Sequence, residues 1–178
     1  MLRRNLSEME GCVLALIWAD GPSTPYALRQ VFLKSPSPQW SGSAGSIYPL
    51  IERLARRHLI RCVTHATGRR EGRLISITLA GQAAMEQWLD PALPDWVTGV
   101  PPDPLRTRIR FLAALPAEKR IAFVAAARRA VDEHFRVMLQ DYKLSRARGT
   151  FEYWMARGAV MSMRARRQWL AELAKSLA

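Results

Sequence analysis

The chain has 178 residues, 49% of them hydrophobic, and carries a net charge of +12 at pH 7. That length allows one large domain or two small ones, and the charge favours a polyanionic partner, either nucleic acid or an acidic membrane surface. No apolar run approaches the roughly 20 residues of a membrane span, and no signal-peptide pattern begins the chain, so we expect a cytoplasmic protein without a membrane partner.

Three helices are predicted in the first third of the chain. Ser7 begins an S-x-x-E capping box, and Thr24 followed by Pro25 has the pattern of a second helix start. Pro49 fits only in the first turn of the third helix, which sets its start near Ser46. Four apolar residues share one face of that helix by the i, i+3, i+4, i+7 rule: Ile47, Leu50, Ile51 and Leu54. The second helix is expected to direct four residues toward a core: Tyr26, Leu28, Val31 and Phe32.

After Leu59 the hydrophobic period changes from helical to about two. Two β-like segments flank the turn G-R-R-E-G-R at 68–73, which is typical of a hairpin. Thr78 then caps a fourth helix, predicted from Leu79 to Leu89. Its expected buried residues are Ala83, Met85, Trp88 and Leu89. Three helices, a hairpin and one more helix predict a winged helix-turn-helix.

A cluster of five prolines between residues 90 and 104 indicates a domain boundary. We therefore predict a winged helix at 1–90, a proline-rich linker at 91–104 and a helical domain at 105–178. In the last of these, a short helix at 105–115 precedes two long ones, from Ala117 to about Arg146 and from about Thr150 to Ser176. The expected fold class is mainly α with a small β-hairpin.

The apolar stripes of the two long helices exceed what those helices can cover for each other. This excess predicts a second chain, most simply an identical copy related by a two-fold axis; a monomer with a loose helical hairpin is the alternative. The predicted dimerisation residues are Val131, Phe135, Met138, Tyr142, Phe151, Trp154, Met155, Trp169, Leu170 and Leu173.

Several motifs match one known family. They are A-L-R at 27–29, G-S-I-Y-P-L-I-E-R-L at 45–54, G-R-R at 68–70 and S-I-T-L-A-G at 76–81. On these motifs the chain resembles the PadR-type transcriptional regulators. The resemblance implies a winged-helix DNA-binding domain and a C-terminal dimerisation domain in the branch with long helices. The chain departs from the family pattern at Pro25, where glycine is frequent, and in the second strand of the wing, where the family often has an aromatic residue in place of Leu74 or Ile75.

A polar helix face beside a basic hairpin predicts contacts with DNA. The third helix would enter a groove, the hairpin arginines would bind phosphates and Arg29 would steady the backbone contact. The predicted DNA-binding residues are Arg29, Ser46, Tyr48, Arg53, Arg56, Arg69, Arg70 and Arg73. The alternative is that the helix face and the hairpin tip are simply solvated. Glu52 is expected to bind Arg56 on the same helix face, in competition with DNA.

The charge does not lie mainly on this predicted surface. Residues 1–90 contain 11 Lys and Arg against 7 Asp and Glu, a net charge of +4, whereas residues 91–178 contain 16 against 8, a net charge of +8. Arginines of the last helix, including Arg164, Arg166 and Arg167, would either add a second anionic contact or form a solvated face with ion pairs. The second alternative is the simpler one.

No cofactor or metal is predicted, because the three histidines are scattered and no metal-ligand spacing occurs. Phosphate-binding and hydrolase motifs are absent from the sequence, which argues against an enzyme. A small aromatic or lipophilic effector is considered at Trp96, Tyr153, Trp154 and Trp169, where ordinary core packing is the alternative. The function predicted is a homodimeric DNA-binding repressor; a winged helix that binds only protein, or a basic membrane-surface protein, are the competing hypotheses.

Overall fold

Capping residues define the helix starts in the first half of the chain. The computed structural model describes residues 5–35, 37, 40, 43–67, 70–90 and 92–177. Helix α1 (Glu8–Asp20) begins with the predicted capping box, in which Ser7 Oγ accepts from the Glu10 amide at 3.3 Å and the Glu10 carboxylate accepts from the Ser7 amide at 3.1 Å. Helix α2 (Pro25–Leu33) begins after Thr24, whose hydroxyl accepts from the Ala27 amide at 3.1 Å. Both predicted starts are confirmed.

Helix α3 (Ile47–Arg56) follows a 3-10 turn at Ser43–Ser46, so Pro49 lies in the first turn as predicted. Its end turns sharply into the hairpin. The Leu59 amide donates to the Leu54 carbonyl at 3.0 Å and the His58 amide donates to the Ala55 carbonyl at 2.9 Å, which is a Schellman motif. His58 occupies the left-handed position with φ +57°, where glycine is the usual residue.

The hairpin consists of strands β1 (Ile60–Thr67) and β2 (Arg70–Ile77), paired antiparallel with Ile60 opposite Ile77. The backbone of Ser23 adds a short bridge to β2, with N–O distances of 2.9 and 2.7 Å to Ile75. This bridge attaches the segment between α1 and α2 to the base of the hairpin.

Helix α4 (Leu79–Trp88) begins at the predicted cap, where Thr78 Oγ1 accepts from the Gly81 amide at 3.0 Å. Gly81 passes so close to the Leu59 carbonyl that a Cβ at this position would lie 2.0 Å from that oxygen. Met85 is buried as predicted and Trp88 is half-buried. Ala83 and Leu89 are exposed, so these two predictions were wrong: each lies on the solvent side of a helix that covers the core with only one face.

One apolar core joins all these elements. Its fully buried members come from each of the first three helices and from the hairpin: Val13, Leu14, Ile17, Leu28, Phe32, Ile47, Leu50, Ile51, Leu54 and Ile75. Tyr26 and Val31 were expected to point into the core but are exposed, because α2 also presents only one face to it. Cys12 is a buried free thiol, and burial raises its pKa to about 12. Cys62 is also a free thiol, but only half-buried.

The chain divides into two compact units, Met1–Thr98 and Gly99–Ala178. The first ends with a single helical turn, α5 (Asp95–Thr98). The second begins with helix α6 (Pro104–Ile109) and a 3-10 turn (Leu112–Ala114), so the predicted helix at 105–115 is interrupted.

Two long helices, α7 (Ala117–Arg148) and α8 (Thr150–Ser176), make up most of the second unit. Only Gly149, with φ +146°, separates them, and they form an antiparallel hairpin. The predicted extents agree with this arrangement, although α7 continues two residues beyond Arg146. Within the described part of the chain, no helix combines the length and the apolar character needed to cross a membrane.

Few side chains are buried between α7 and α8. They are Val124, Val131, Phe135, Ser145, Ala156, Val160 and Leu170. Three of them, Val131, Phe135 and Leu170, were predicted to contact a second chain. Within one chain these three side chains are buried and pack the two helices against each other, and their contact with a second chain stays a prediction.

Candidate nucleic-acid interface

The solvent side of α3 carries a row of polar residues. Tyr48, Glu52 and Arg56 follow one another at intervals of four residues, so they lie along one face. All three are exposed, and Tyr48 retains 49% of its surface. We call these three residues the α3 stripe. Ser46, at the start of the helix, is also exposed and makes no side-chain capping bond, so its hydroxyl is available for an outside partner.

The hairpin touches the α3 stripe through Arg73. Its guanidinium Nη1 donates to Glu52 Oε1 in an ion pair between two half-exposed side chains. That hydrogen bond raises the pKa of Arg73 further above its ordinary value. The ion pair therefore places one wing arginine directly beside the exposed face of α3.

The sequence suggested an ion pair between Arg56 and the Glu52 carboxylate, but this pair does not form. Its Nε instead donates to the Glu52 backbone carbonyl at 3.3 Å. The carboxylate is engaged by Arg73, which approaches from the hairpin 21 residues along the chain. The cation that binds the Glu52 carboxylate is thus Arg73 of the wing rather than Arg56, one turn further along α3.

Arg53 lies on the side of α3 that faces α1. Its Nε donates to Glu10 Oε1 at 3.5 Å, and Arg57 Nη1 donates to Glu10 Oε2 at 3.2 Å. Glu10 is buried and also completes the capping box of α1. Charge-assisted bonds to a buried carboxylate hold the C-terminal half of α3 against α1. Sequence reasoning recognised Glu10 only as a capping residue and missed Arg57.

The remaining predicted DNA-binding residues, Arg29, Arg69 and Arg70, are not placed beside the α3 stripe by any described contact. Arg29 is half-buried on α2. Arg69 and the side chain of Arg70 lie outside the described residues. The structure therefore brings together Tyr48, Arg56 and Arg73 around Glu52, with Ser46 at the start of the same helix.

Two arginines of α8 bind carboxylates of their own chain. Arg166 Nη2 donates to Asp103 Oδ2 at 2.6 Å, and Arg167 Nε donates to Asp132 Oδ1 at 2.6 Å. Arg167 also stacks over the ring of Phe135, with 4.5 Å between Cζ and the ring centroid. These pairs favour the interpretation of a helix face with ion pairs over a second anion-binding surface.

The predicted effector residues are divided between the two units, and the three in the second unit do not form one cluster. Trp96 is 63% exposed on α5 in the first unit. Tyr153 and Trp154 contact each other edge to face at 5.5 Å, whereas Trp169 follows 15 residues later on α8, on the order of 22 Å along the helix axis. Of the three in the second unit, only Tyr153 and Trp154 are brought together.

These two aromatic residues belong to a cluster at the turn of the helical hairpin that includes cations the sequence did not single out. Tyr142 donates to the Tyr153 hydroxyl oxygen at 3.1 Å, Arg157 Nη1 donates to the same oxygen at 3.3 Å, and Arg146 lies 5.3 Å from the Tyr153 ring centroid. These donors stabilise the phenolate and lower the pKa of Tyr153 to about 8, with the Tyr142 bond as the largest cause. Tyr142, as the donor of that bond, has a raised pKa.

A shallow cavity of about 260 Å³ lies beside this cluster. It is lined by Tyr142, Arg157, Val160, Met161 and Arg164. Both aromatic and guanidinium groups therefore face the space.

Solved structures with the same architecture cover almost the entire chain. Bacillus subtilis PadR in complex with operator DNA is 17% identical, with a TM-score of 0.82 over 97% of this chain and 100% of that chain. The same regulator in complex with p-coumaric acid is 15% identical, with a TM-score of 0.74 over 95% and 94% of the two chains. The Vibrio cholerae virulence activator AphA is 19% identical, with a TM-score of 0.71 over 96% and 98%.

No protein-family model matches the sequence, and no curated protein matches it significantly. The likeness to the solved structures shows the fold: a winged helix followed by a long helical hairpin, as in the PadR-type regulators. The predicted resemblance and fold class are confirmed at this level.

Proposed function

We propose that this chain is a sequence-specific DNA-binding transcriptional regulator. The observation that carries the proposal is the contact between Arg73 of the hairpin and Glu52 of α3, because it joins a polar helix face and a basic wing into one surface. A helix in the major groove and a wing on the adjacent backbone need this side-by-side arrangement. A protein of the same fold has been solved with operator DNA, which supports the same use of the surface here.

The regulator acts as a homodimer through its helical hairpin. Phe151, Trp154, Met155 and Met161 are exposed on α8, and three of them, at 151, 154 and 155, share a face by spacing. An apolar stripe of this kind is a site of association. A two-fold dimer would bind a pseudo-palindromic site whose half-sites are on the order of 34 Å apart, or a multiple of that distance.

The proposed outcome of binding is repression by occupation of promoter DNA. One protein of this fold is a virulence activator, so activation is the competing outcome. A small aromatic effector would relieve repression, as the complex of a similar fold with p-coumaric acid suggests. For this chain the described residues that favour such a ligand are Tyr153 and Trp154, beside the arginine-lined cavity.

Selection of DNA from a random pool, followed by affinity measurements at several salt concentrations, tests the proposal. The wild-type protein should enrich a pseudo-palindrome and bind it more tightly than a scrambled fragment of equal length. Equal binding to both fragments would favour non-specific attraction by the basic chain. Absence of binding would favour a protein-interaction module.

The Arg73→Ala variant should bind every DNA more weakly and should reduce the slope of log K against log salt by about 1. Both effects follow because the variant loses a phosphate contact and leaves Glu52 without its partner. Arg108→Ala is the matched control, since Arg108 lies in the second unit and donates to the Pro104 carbonyl at 3.1 Å. An unchanged slope in a folded Arg73→Ala protein would contradict the wing contact.

A further inference from the structure

Glu52 is the one acidic residue of α3, and it stands at the centre of the α3 stripe. Tyr48 lies one turn before it and Arg56 one turn after it, both exposed. A carboxylate at this position would approach the phosphates of a bound duplex and be repelled by them. A residue that serves only to increase affinity for DNA would therefore not be acidic here.

The ion pair with Arg73 offsets that repulsion. The guanidinium donates to one carboxylate oxygen, Oε1, and both side chains remain about half exposed. Among the described residues no side chain donates to the other oxygen, Oε2, so this oxygen can accept from an outside donor. Arg56 uses only the backbone carbonyl of Glu52 and leaves the carboxylate unchanged.

The hydrogen-bonding pattern of a carboxylate selects among bases. An ionised carboxylate can only accept, and in the major groove cytosine offers its N4 amino group as a donor. Guanine offers the acceptors O6 and N7, and thymine offers O4 with a methyl group. Adenine has an N6 amino group, but its N7 acceptor lies beside it and would repel the second carboxylate oxygen. Cytosine is thus the base that fits an acidic side chain best.

We propose that Glu52 is a specificity-determining residue that reads the amino group of a cytosine, while Arg73 holds its carboxylate and shields it from the phosphates. This inference rests on the proposed DNA-binding function and adds to it the kind of base pair that α3 requires. It also gives Arg73 two roles, a partner for Glu52 and a contact for phosphate.

The test compares wild type with Glu52→Ala and Glu52→Gln on a selected binding site and on variants of that site with each base pair replaced in turn. In wild type, replacing one particular C·G pair should weaken binding by about 5- to 100-fold, the range for one base-specific contact. Glu52→Ala should bind all replacements at that pair about equally. Glu52→Gln should shift the preference toward adenine, because an amide matches the N6 and N7 pair.

Salt dependence gives a second measurement on the same proteins. Removal of the carboxylate leaves the positive charge of Arg73 unopposed beside the phosphates, so both variants should show a slope of log K against log salt that is steeper by about 0.9. Glu86→Gln is the matched control: it removes the same charge from exposed Glu86 on α4, whose carboxylate accepts from Gln82, and should alter neither the base preference nor the slope.

Distinct results overturn the inference. A uniform change of affinity for all sites, with the C·G preference retained, would make Glu52 a positioning residue for the wing only. Thermal unfolding shows whether either variant is partly unfolded. If one of them is, the base preference of the other variant decides the test. Failure of the wild-type protein to distinguish any sequence would instead overturn the proposed function itself.

Discussion

The two units of this chain cover their apolar surface to very different degrees. In the first unit, three helices and the hairpin enclose a core whose members from Val13 to Ile75 are almost inaccessible to solvent. In the second unit, two helices of 32 and 27 residues bury only a few side chains between them. Phe151 is 85% exposed and Trp154 56% exposed on the same unit.

The difference follows from geometry. Elements that cross at several angles can surround a core on all sides, whereas two antiparallel helices bury one stripe each and leave their other faces outside. The first unit is therefore stable through its own packing. The second would gain stability if another surface covered it, which is why we place the interface of the proposed dimer on the hairpin.

Leu54→Ala should produce the largest effect and test whether the first core is complete. Leu54 is fully buried, and removing its side chain should lower the free energy of unfolding by about 2–5 kcal/mol through lost burial and a residual cavity. Urea denaturation followed by circular dichroism measures the change. Leu79→Ala is the matched control, because Leu79 is 87% exposed and its replacement should alter stability by no more than about 0.5 kcal/mol. Equal losses in both proteins would contradict a closed core.

Phe151→Ala tests the open face of the second unit. If this side chain is covered by a second copy, its loss should weaken the dimer at least about tenfold, since burying one phenylalanine stabilises by about 1.5–3 kcal/mol. Sedimentation over a range of protein concentrations gives the dissociation constant. Phe111→Ala provides the control, because Phe111 is also exposed in this unit but lies on the segment before α7.

Equal weakening by both phenylalanine variants would contradict the assignment of the interface to α8. A wild-type protein that sediments as a monomer at micromolar concentration would remove the dimer altogether. Retention of a strong dimer in Phe151→Ala would move the interface away from the start of α8.

Local signals in the sequence were sufficient for most helix and strand boundaries. The caps at Ser7, Thr24 and Thr78 act within three residues, so they could be recognised without knowledge of the fold. The buried face of α3 followed from its spacing in the same way. The errors at Ala83 and Leu89 arose because an apolar residue at a helix surface does not reveal which side the core occupies.

Partners distant in sequence could not be predicted. Periodicity identifies the helix face on which Arg53 or Glu52 lies, but it does not identify their partners. Arg53 pairs with Glu10, 43 residues earlier, and Glu52 pairs with Arg73, 21 residues later. Likewise, the stripe through Val131, Phe135 and Leu170 indicated burial without indicating which chain provides it. The structure assigns those three side chains to packing within the hairpin.

The smallest expected effect concerns pH and the polar end of the helical hairpin. Because the hydrogen bonds from Tyr142 and Arg157 and the nearby guanidinium of Arg146 lower the pKa of Tyr153 to about 8, this phenol should ionise well below its ordinary value of 10. Absorbance at 295 nm should show an early step near pH 8 in wild type that is absent in Tyr153→Phe. Tyr26→Phe, which removes an exposed tyrosine of the first unit, should keep the step.

The same shift fixes the sign of a stability change. A lowered pKa in the folded state means that the folded chain releases this proton before the unfolded chain does, so the stabilisation is fully present above about pH 10 and is lost as pH falls through about 8. The free energy of unfolding of wild type should therefore rise, relative to Tyr153→Phe, between pH 8 and 10. An identical pH dependence in the two proteins would mean that Tyr142 and the two guanidinium groups do not lower the pKa of Tyr153 in solution. Solvent would then screen the charges at this end of the hairpin, as it covers the exposed apolar face of α8.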